Sequence, residues 1–323
     1  MTDTFPPEKR SEIMRRIRQP TKLERSTREE MEKLGFRYAE KSFGDFVNHE
    51  KGAAIFIMGC FWHGCPRHYR EPKSNVEYWR WKLIRNRARD ARQVTSLLMS
   101  GYTPLVIWEC EGGSPSDWVK RVLRLRGAKR PPFTWVELGY LVGYAMGDGS
   151  TRKYRNRGGA VNYRVYFYGE EDDTENICRM LRKRGVACHE RTDSRENKFG
   201  VSYQATVSSW FLYSAIFLCK LHSHLLAFPS INEDFDRGLL AGFFDADGGW
   251  NSGGRDGQQA RFFSKWKENL EQVRSLLRNR FGIDSGIYKV KDNEFYLAIY
   301  DTHVRKDFER WRKLYEATRN EIF

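Results

Sequence analysis

The fold of this chain is decided by residues 240–248, which read LAGFFDADG, and by residues 141–149, which read LVGYAMGDG 99 residues earlier. Each stretch carries a small residue at every fourth position, and on an α-helix this spacing places the small residues on one face. Glycine costs a helix roughly 1 kcal/mol relative to alanine, so its repetition here needs a packing reason. The pattern predicts two helices whose backbones pack in close contact.

The two copies match in register. The matching small residues are Gly139, Gly143 and Gly147 in the first copy and Gly238, Gly242 and Ala246 in the second. Each copy ends in Asp-Gly, which places Asp148 and Asp247 at the negative end of a helix dipole. Two carboxylates brought together there repel each other unless a cation lies between them, and a hard ion such as Mg²⁺ suits oxygen ligands. Asp148 and Asp247 are therefore candidate metal ligands and catalytic residues. The alternative is that they only terminate two packed helices.

Residues 240–248 resemble the signature of the LAGLIDADG homing endonucleases, and residues 141–149 resemble a divergent first copy of it. The resemblance implies an α+β fold in which two αββαββα repeats form a pseudo-twofold saddle on double-stranded DNA. It implies a monomer, in which Asp148 and Asp247 bind the Mg²⁺ or Mn²⁺ used for double-strand cleavage. Active members often carry a basic residue on the last strand of each repeat, and the expected strands 203–207 and 295–299 show no clear equivalent.

The composition favours a polyanionic partner. The chain has 323 residues, 40% of them hydrophobic, and a net charge of +14. Residues 1–132 contain 27 Lys and Arg against 16 Asp and Glu, which is a net +11. A basic surface of this kind suits nucleic acid. The amino terminus lacks a signal-peptide core, and the apolar run 209–228 is interrupted by Lys220, His222 and His224, which favours a buried helix over a membrane span. We therefore expect a soluble, cytoplasmic protein.

A cysteine and histidine cluster in the first half has the composition of a zinc site. Cys60, Cys65 and His68 have the spacing C-x4-C-x2-H, and Cys110 follows an apolar strand candidate that could lie beside the strand before Cys60. Three thiolates and an imidazole suit a closed tetrahedral Zn²⁺ site. The alternative is that these cysteines are core residues. In an intracellular chain, cysteines are more often metal ligands or core residues than disulfides. Cys178, Cys188 and Cys219 fit core positions.

Residues 8–125 resemble the very short patch repair (Vsr) endonucleases, which nick DNA beside a T:G mismatch. The resemblance is carried by residues 44–47 (GDFV), 59–63 (GCFWH), 72–75 (PKSN) and 108–110 (WEC), with Arg10, Ser11, Met14, Glu24, Asn86, Arg89 and Asp90. It implies an α/β restriction-endonuclease-like domain in which Asp45 binds Mg²⁺ and His63 is the general acid and base. It also implies that Phe61, Trp62 and Trp79 are DNA wedges, and that Cys60, Cys65, His68 and Cys110 hold structural zinc.

One position departs from the Vsr pattern. The family commonly has a polar residue, often histidine, two positions before the cysteine of the Gly-Cys-Phe-Trp motif, and here that position is Met58. A thioether neither binds Mg²⁺ well nor transfers protons. The departure leaves open a first domain that binds DNA without cutting it.

The second half repeats one order of elements. Strands are expected at 163–168 and 203–207 around a helix at 173–184, and then at 260–263, 287–290 and 295–299 around a helix at 267–280. Alternate side chains of a curved sheet can read base edges in the major groove. The candidate DNA-binding residues are Arg152, Lys153, Arg255, Gln259, Arg261 and Lys289.

We expect two domains joined by a short linker containing Pro131 and Pro132: a Vsr-like domain at 1–129 and a LAGLIDADG domain at 133–323. The leading hypothesis is a homing endonuclease of a mobile element, in which the second domain cleaves both strands and the first adds DNA binding or nicking. A second hypothesis is a nickase that depends on Asp45 and His63 and uses the LAGLIDADG half for recognition. A third is a non-cleaving nucleic-acid-binding protein such as an intron maturase.

Overall fold

The computed structural model describes residues 8, 9, 12, 22–38, 43–128, 130–197, 200–251, 258–291 and 294–323. The chain divides into two compact units. The first comprises the described residues up to Cys60 together with Ser100–Gly127, and the second comprises Phe61–Met99 and Ala128–Phe323. The domain boundary expected near residue 130 stays a prediction. Within the described residues, no helix has both the length and the apolar composition required to cross a bilayer.

The elements of the amino-terminal part are numbered in chain order. They are α1 (Lys22–Lys33), β1 (Arg37–Tyr38), β2 (Phe46–Asn48), β3 (Ala53–Met58), α2 (Val76–Met99), β4 (Thr103–Trp108) and α3 (Pro115–Arg126). Strands β3 and β4 are the two apolar strands expected before Cys60 and Cys110. Helix α2 lies in the second unit, whereas the other elements lie in the first.

The first unit is built on a sheet of order β1-β2-β3-β4, in which β3 and β4 are parallel and the other pairs are antiparallel. All six residues of β3 are buried, as a continuous apolar run predicts for a central strand. Helices α1 and α3 close the core, which includes Met31, Phe36, Phe46, Ile55, Ile107, Trp118 and Val122. Helix α3 begins at a capping box formed by Ser114 and Asp117.

The carboxy-terminal part consists of two αββαββα repeats, which confirms the predicted fold class. The first repeat is α4 (Trp135–Asp148), β5 (Gly149–Arg155), β6 (Val161–Gly169), α5 (Glu171–Lys183), β7 (Cys188–Asn197), β8 (Gly200–Ser208) and α6 (Trp210–Ile216). The second is α7 (Glu233–Asp247), β9 (Gly248–Asn251), β10 (Gln259–Ser264), α8 (Lys267–Phe281), β11 (Gly286–Lys289), β12 (Phe295–Ile299) and α9 (Asp307–Ile322). The sheets have orders β5-β6-β8-β7 and β9-β10-β12-β11, so the repeats share one topology.

Helices α4 and α7 pack as the glycine spacing predicts. A Cβ built on Gly143 would overlap the carbonyl oxygen of Leu239, and one on Gly242 would overlap that of Tyr140. Gly139 and Gly238 make the same approach one turn earlier. The two backbones are therefore in direct contact, and a side chain larger than hydrogen does not fit.

The sequence favoured one buried helix over the apolar run 209–228, and the structure shows that this expectation was wrong. Helix α6 ends at Ile216, and the chain then turns so that Lys220 forms a β-bridge with Leu226. A 3₁₀ turn, His222–His224, lies between them, and Ser223 adopts a positive φ of 53°. The charged residues that interrupt the run are therefore at the turn, where they bring Lys220 close to the end of α4.

Two cysteines differ from the expectation that the cysteines are more often metal ligands or core residues than disulfides. Cys178 and Cys188 are buried, as predicted, but their sulfur atoms are bonded to each other. The bond joins α5 to the first residue of β7. The pattern did not reveal it because ten residues and a helix end separate the two positions. Cys219 is a free, buried cysteine, as expected.

Candidate nuclease centres

Asp148 and Asp247 are the last residues of α4 and α7, so the helix pair brings them to the same end. A Cβ on Gly147 would lie 2.9 Å from Oδ2 of Asp247 and 2.6 Å from Cβ of Ala246. The carboxylate of one helix thus lies against the backbone of the other. Both aspartates are only partly accessible to solvent.

The electrostatics of the pair follow from this placement. Burial raises the pKa of Asp148, and it raises the pKa of Asp247 to about 6, with the nearby charge of Asp148 as a second cause. The positive charge of Lys220 opposes both shifts. The pKa of a carboxyl group rises in this way because burial and a neighbouring negative charge both disfavour its ionised form.

Lys220 supplies a positive charge beside this pair, although the sequence pattern did not predict it. Its Nζ donates to the carbonyl oxygens of Ala145 at 2.8 Å, Met146 at 3.0 Å and Gly149 at 2.6 Å. These carbonyls surround Asp148 at the carboxyl end of α4, where a helix dipole favours a positive charge. Burial lowers the pKa of Lys220 to about 8, against the charges of Asp247 and Asp148. Its sequence signal was a lone lysine in an apolar run.

This set of groups fits a divalent cation. Carboxylate oxygens are hard donors of the type that Mg²⁺ and Mn²⁺ bind. Burial raises the pKa of Asp247 to about 6, the charge of Asp148 adds to that shift, and the charge of Lys220 only partly opposes it. A bound cation would relieve that repulsion, so the chemistry of the residues and the expected ion agree.

The other acidic residue of the second signature, Asp245, has a separate structural role. It accepts hydrogen bonds from Tyr140 at 2.6 Å and from the hydroxyl of Tyr315, and Nη1 of Arg319 lies 3.0 Å from its Oδ2. Tyr315 and Arg319 belong to α9. Asp245 therefore ties the carboxy-terminal helix to the helix pair.

Asp45 lies in the first unit, immediately before β2. Its Oδ2 accepts a hydrogen bond of 2.6 Å from the backbone N–H of Ile57 in β3, which orients the carboxylate. Its negative charge contributes to the raised pKa of Tyr38, after burial and the bond of 2.8 Å from the Tyr38 hydroxyl to Glu24. Met58, the departure from the Vsr pattern, is buried at the end of β3.

His63 is paired with Asp90 of helix α2 in the second unit. Nδ1 of the imidazole bonds to Oδ2 of Asp90, and Nη2 of Arg89 lies 2.9 Å from the other carboxylate oxygen. Burial alone would raise the pKa of Asp90, but the bond to His63 and the charges of His63 and Arg89 hold it below its ordinary value. The ionised carboxylate accepts from Nδ1–H, which leaves Nε2 to exchange a proton. Asp90 belongs to the Vsr-like pattern, but that pattern did not predict its bond to His63.

The three candidate DNA wedges lie together. The ring centroid of Phe61 lies 5.2 Å from that of Trp62 and 5.2 Å from that of Trp79. The centroids of Trp62 and Trp79 are 5.9 Å apart. Phe61 and Trp62 remain 39% and 37% exposed. The side-chain amide of Asn86 donates to the Trp62 carbonyl at 2.8 Å and braces the loop. Exposed aromatic rings on a braced loop are suited to stacking or wedging between bases.

The predicted zinc ligands occur as two pairs, one in each unit. In the second unit, Sγ of Cys65 lies 3.9 Å from Nδ1 of His68. In the first unit, Cys60 follows β3 and Cys110 follows β4, and these strands pair through Met58 and Trp108. Cys60 and Cys65 are buried, Cys110 is half-buried and His68 is exposed.

The candidate base-reading residues lie on the two carboxy-terminal sheets. Arg152 and Lys153 are exposed on β5, and Lys289 is exposed on β11. Arg261 on β10 lies over the ring of Tyr296 at 4.7 Å. Gln259 is only 8% exposed, and its Oε1 accepts a bond of 3.0 Å from Nε of Arg261. Arg255 lies outside the described residues.

Two family models match the chain. The model described as a LAGLIDADG-like domain matches residues 234–311, and the model described as DNA mismatch endonuclease Vsr matches residues 2–68.

Curated relatives match the amino-terminal part. The chain is 36% identical over 119 residues to the type II nicking enzyme V.XorIIP of Xanthomonas oryzae pv. oryzae, a match that covers 34% of this chain and 87% of that protein. It is 37% identical over 133 residues to the type II nicking enzyme V.NmeAIP of Neisseria meningitidis, with 39% and 94% covered. It is 36% identical over 81 residues to the DNA mismatch endonuclease Vsr of Escherichia coli, with 24% and 52% covered.

Solved structures of homing endonucleases match the chain more distantly. The homing endonuclease I-DmoI in complex with DNA and Mn is 20% identical with a TM-score of 0.40, covering 56% of this chain and 97% of that one. The homing endonuclease I-WcaI bound to its DNA recognition sequence is 18% identical with a TM-score of 0.45, covering 64% and 90%. The chain belongs, through its amino-terminal part, to the Vsr family of DNA mismatch endonucleases, and this part is joined to a LAGLIDADG-like domain.

Proposed function

We propose that this protein is a metal-dependent DNA endonuclease of a mobile genetic element, a homing endonuclease whose LAGLIDADG-like domain cleaves both strands. The observation that carries the proposal is the convergence of Asp148, Asp247 and Lys220 at the carboxyl end of the packed helix pair. Two partly buried carboxylates of raised pKa beside a partly buried ammonium are costly for stability. Such an arrangement is typical of a functional site.

Asp148 and Asp247 would hold Mg²⁺ or Mn²⁺, which when bound supplies a Lewis acid and an activated water for phosphodiester hydrolysis. The carboxylates fix the position of that chemistry because each is the last residue of a rigid helix. The ammonium of Lys220, held by three carbonyl oxygens, adds a fixed positive charge where negative charge develops on a phosphate.

Double-stranded DNA is the proposed partner. The net charge of +14 favours binding to the phosphate backbone. Exposed Arg152, Lys153 and Lys289 on the strands offer contacts to phosphates or base edges, and Gln259 would act by orienting Arg261. Phe61, Trp62 and Trp79 would stack on or wedge between bases. We retain Arg255 as a proposed DNA contact from sequence alone.

Zinc is proposed as a structural ion in addition to the catalytic one. Cys60, Cys65, His68 and Cys110 each offer one ligand atom. Three thiolates and one imidazole match the donor set of a closed tetrahedral site, in which no position is left for water. The ion would therefore hold structure and take no part in hydrolysis.

A second candidate activity is nicking by the Vsr-like part, which is favoured by the His63–Asp90 pair. Asp90 holds the imidazole in one orientation, as a general acid and base requires. Asp45 would bind the metal ion. Curated relatives of this part are nicking enzymes. In this alternative the LAGLIDADG-like half would supply only recognition.

Cleavage of a randomised duplex library in Mg²⁺, with sequencing of both new ends, tests the two activities together. The variants are Asp148→Asn with Asp247→Asn, and Asp45→Ala with His63→Ala. We expect staggered double-strand breaks from the wild type. The Asp148→Asn and Asp247→Asn variant should lower the cleavage rate about a thousandfold or more, since it removes both charged ligands of the metal.

Each other outcome has a definite meaning. Single-strand nicks lost only with Asp45 and His63 would make the Vsr-like part the enzyme. Full activity in the Asp148 and Asp247 variant would refute the proposed centre. Tight, metal-independent binding without cleavage, above all of structured RNA, would favour a maturase.

A further inference from the structure

Helix α2 bears a buried cation that neither proposed centre uses. Arg87 lies one turn before Asp90, on the same face of the helix, and is only 1% exposed. Its Nη2 donates to the carbonyl oxygen of Phe217 at 2.8 Å and to that of Lys220 at 2.9 Å. The guanidinium therefore reaches from the Vsr-like stretch of sequence to the residue that carries the ammonium of the Asp148 and Asp247 centre.

Other residues of the Vsr-like stretch hold the neighbours of Lys220. The ring of Tyr69 stacks on His222 with centroids 5.0 Å apart. Gly64 lies so close to Leu221 that a Cβ built on it would be 3.4 Å from a methyl group of that leucine. Three consecutive residues, 220–222, are thus contacted from one side by residues of the Vsr-like stretch.

On its other side, Lys220 contacts the helix pair. Its Nζ donates to the carbonyls of Ala145, Met146 and Gly149. A continuous set of hydrogen bonds therefore runs from Arg87 through the backbone and side chain of Lys220 to the end of α4. The distances are short at each step, so a shift of the Lys220 backbone moves its ammonium relative to Asp148.

A buried arginine is an expensive way to fill a core position. Burial lowers the pKa of Arg87 to about 10, although the charge of Asp90 opposes the shift. An apolar side chain of similar volume would avoid this cost, but it could not bind two backbone carbonyls. Arg87 binds the carbonyl of Phe217, the residue after α6, and the carbonyl of Lys220 itself.

We propose that Arg87 is a positioning residue for the Asp148 and Asp247 centre: it fixes the backbone of Lys220 and so holds the ammonium against the end of α4. This inference rests on the proposed function of that centre. It follows that the LAGLIDADG-like domain depends on helix α2 of the Vsr-like sequence for a correctly built catalytic centre. The Asp148 and Asp247 centre then cannot be separated from helix α2 without loss of activity.

The test uses the full chain carrying Asp45→Ala, so that breaks come from the Asp148 and Asp247 centre alone. Arg87→Met removes the guanidinium and keeps the stem, Arg87→Lys keeps a cation, and Arg92→Met is the matched control on the exposed face of α2. We expect Arg87→Met to lower kcat for double-strand cleavage about tenfold or more, because two buried carbonyls lose their donor. KM should change less than about twofold, since a buried residue touches no DNA. Arg87→Lys should recover part of the rate, and Arg92→Met should match the parent.

A second readout does not depend on cleavage. Acetylation of Lys220 by a small amine-reactive ester, followed by peptide mass spectrometry, reports how firmly its ammonium is held. We expect Lys220 to react about tenfold faster in Arg87→Met than in the parent, while the exposed Lys267 reacts at an unchanged rate. If the parent protein cleaves nothing, the proposed function fails, and the acetylation rates alone still decide the role of Arg87.

The inference is overturned if folded Arg87→Met leaves both kcat and Lys220 acetylation unchanged. It is also overturned if, in a parallel chain that retains Asp45, Arg87→Met impairs only the nicking that depends on Asp45 and His63, because Arg87 would then serve Asp90. Thermal unfolding of each variant identifies loss of fold. If Arg87→Met does not fold, Arg87→Lys carries the test, and an unchanged acetylation rate of Lys220 in that variant refutes the proposal.

Discussion

Asp247 carries a free-energy cost in the protein without a bound cation, because its carboxylate is partly buried beside that of Asp148. Its pKa of about 6 in the folded chain exceeds the ordinary value of 3.8. The folded state therefore holds this proton more tightly than the unfolded state does, and the free energy of unfolding falls as pH rises from about 4 to about 6. Above that range the cost of burying the charge beside Asp148 is fully present.

Asp247→Asn should therefore stabilise the metal-free protein at pH 7.5, by up to about 2 kcal/mol after allowance for partial exposure. The gain should shrink as pH falls toward 4, since both forms are then uncharged at this position. Urea unfolding in the presence of a chelator at pH 7.5 and 4.5 measures it.

Two comparisons isolate the cause of that gain. Asp172→Asn, at an exposed carboxylate, should change stability by no more than a few tenths of a kcal/mol at either pH. Mg²⁺ should stabilise the wild type more than Asp247→Asn. A less stable Asp247→Asn at pH 7.5 would show that the partly buried charge of Asp247 does not destabilise the metal-free protein.

At the scale of the element, the helix pair α4 and α7 depends on the absence of side chains. Backbone carbonyls of each helix occupy the space in which a Cβ of the other would lie. Close packing of this kind cannot relax without separating the helices and with them Asp148 and Asp247. The glycines are therefore requirements of the proposed catalytic centre as well as of the core.

Gly143→Ala should destabilise the protein by about 3 kcal/mol or more, since its methyl group would overlap the backbone of Leu239. The measurement is the urea midpoint, which should fall together with double-strand cleavage. Gly158→Ala is the matched control, because a Cβ there would meet nothing closer than 3.6 Å. A Gly143→Ala protein within 1 kcal/mol of the wild type would contradict the described packing.

At the scale of the whole molecule, the zinc content tests the four proposed ligands Cys60, Cys65, His68 and Cys110, each of which offers one ligand atom. We expect about one Zn²⁺ per purified chain, lost in Cys60→Ser and in Cys110→Ser, since one tetrahedral site holds one ion. Elemental analysis measures it. Cys219→Ser, at a buried cysteine outside the proposed site, should keep the zinc. Protein purified without chelator that contains no zinc would remove the prediction.

The sequence predicted most of the elements because their signals are local. An apolar run, a glycine at every fourth position and a helix stop are each visible within a dozen residues. For that reason the sequence could place the apolar strand before Cys60, both signature helices, and Asp148 and Asp247 at the ends of those helices. The edge strands β5, β7 and β9 were missed, since they are polar and lack a simple alternation.

By itself, then, the sequence determined the two repeats, the helix pair and the family of the amino-terminal part. The tertiary structure decided which other residues join the centres: Lys220 beside Asp148, Asp90 behind His63, Arg87 behind Lys220, and the bond between Cys178 and Cys188. Several of these partners are far apart in the chain, by 75 positions from Lys220 to Ala145 and 133 from Arg87 to Lys220. A side chain at such a separation leaves no periodic pattern, because its partner is chosen by how whole elements pack and not by its neighbours in sequence.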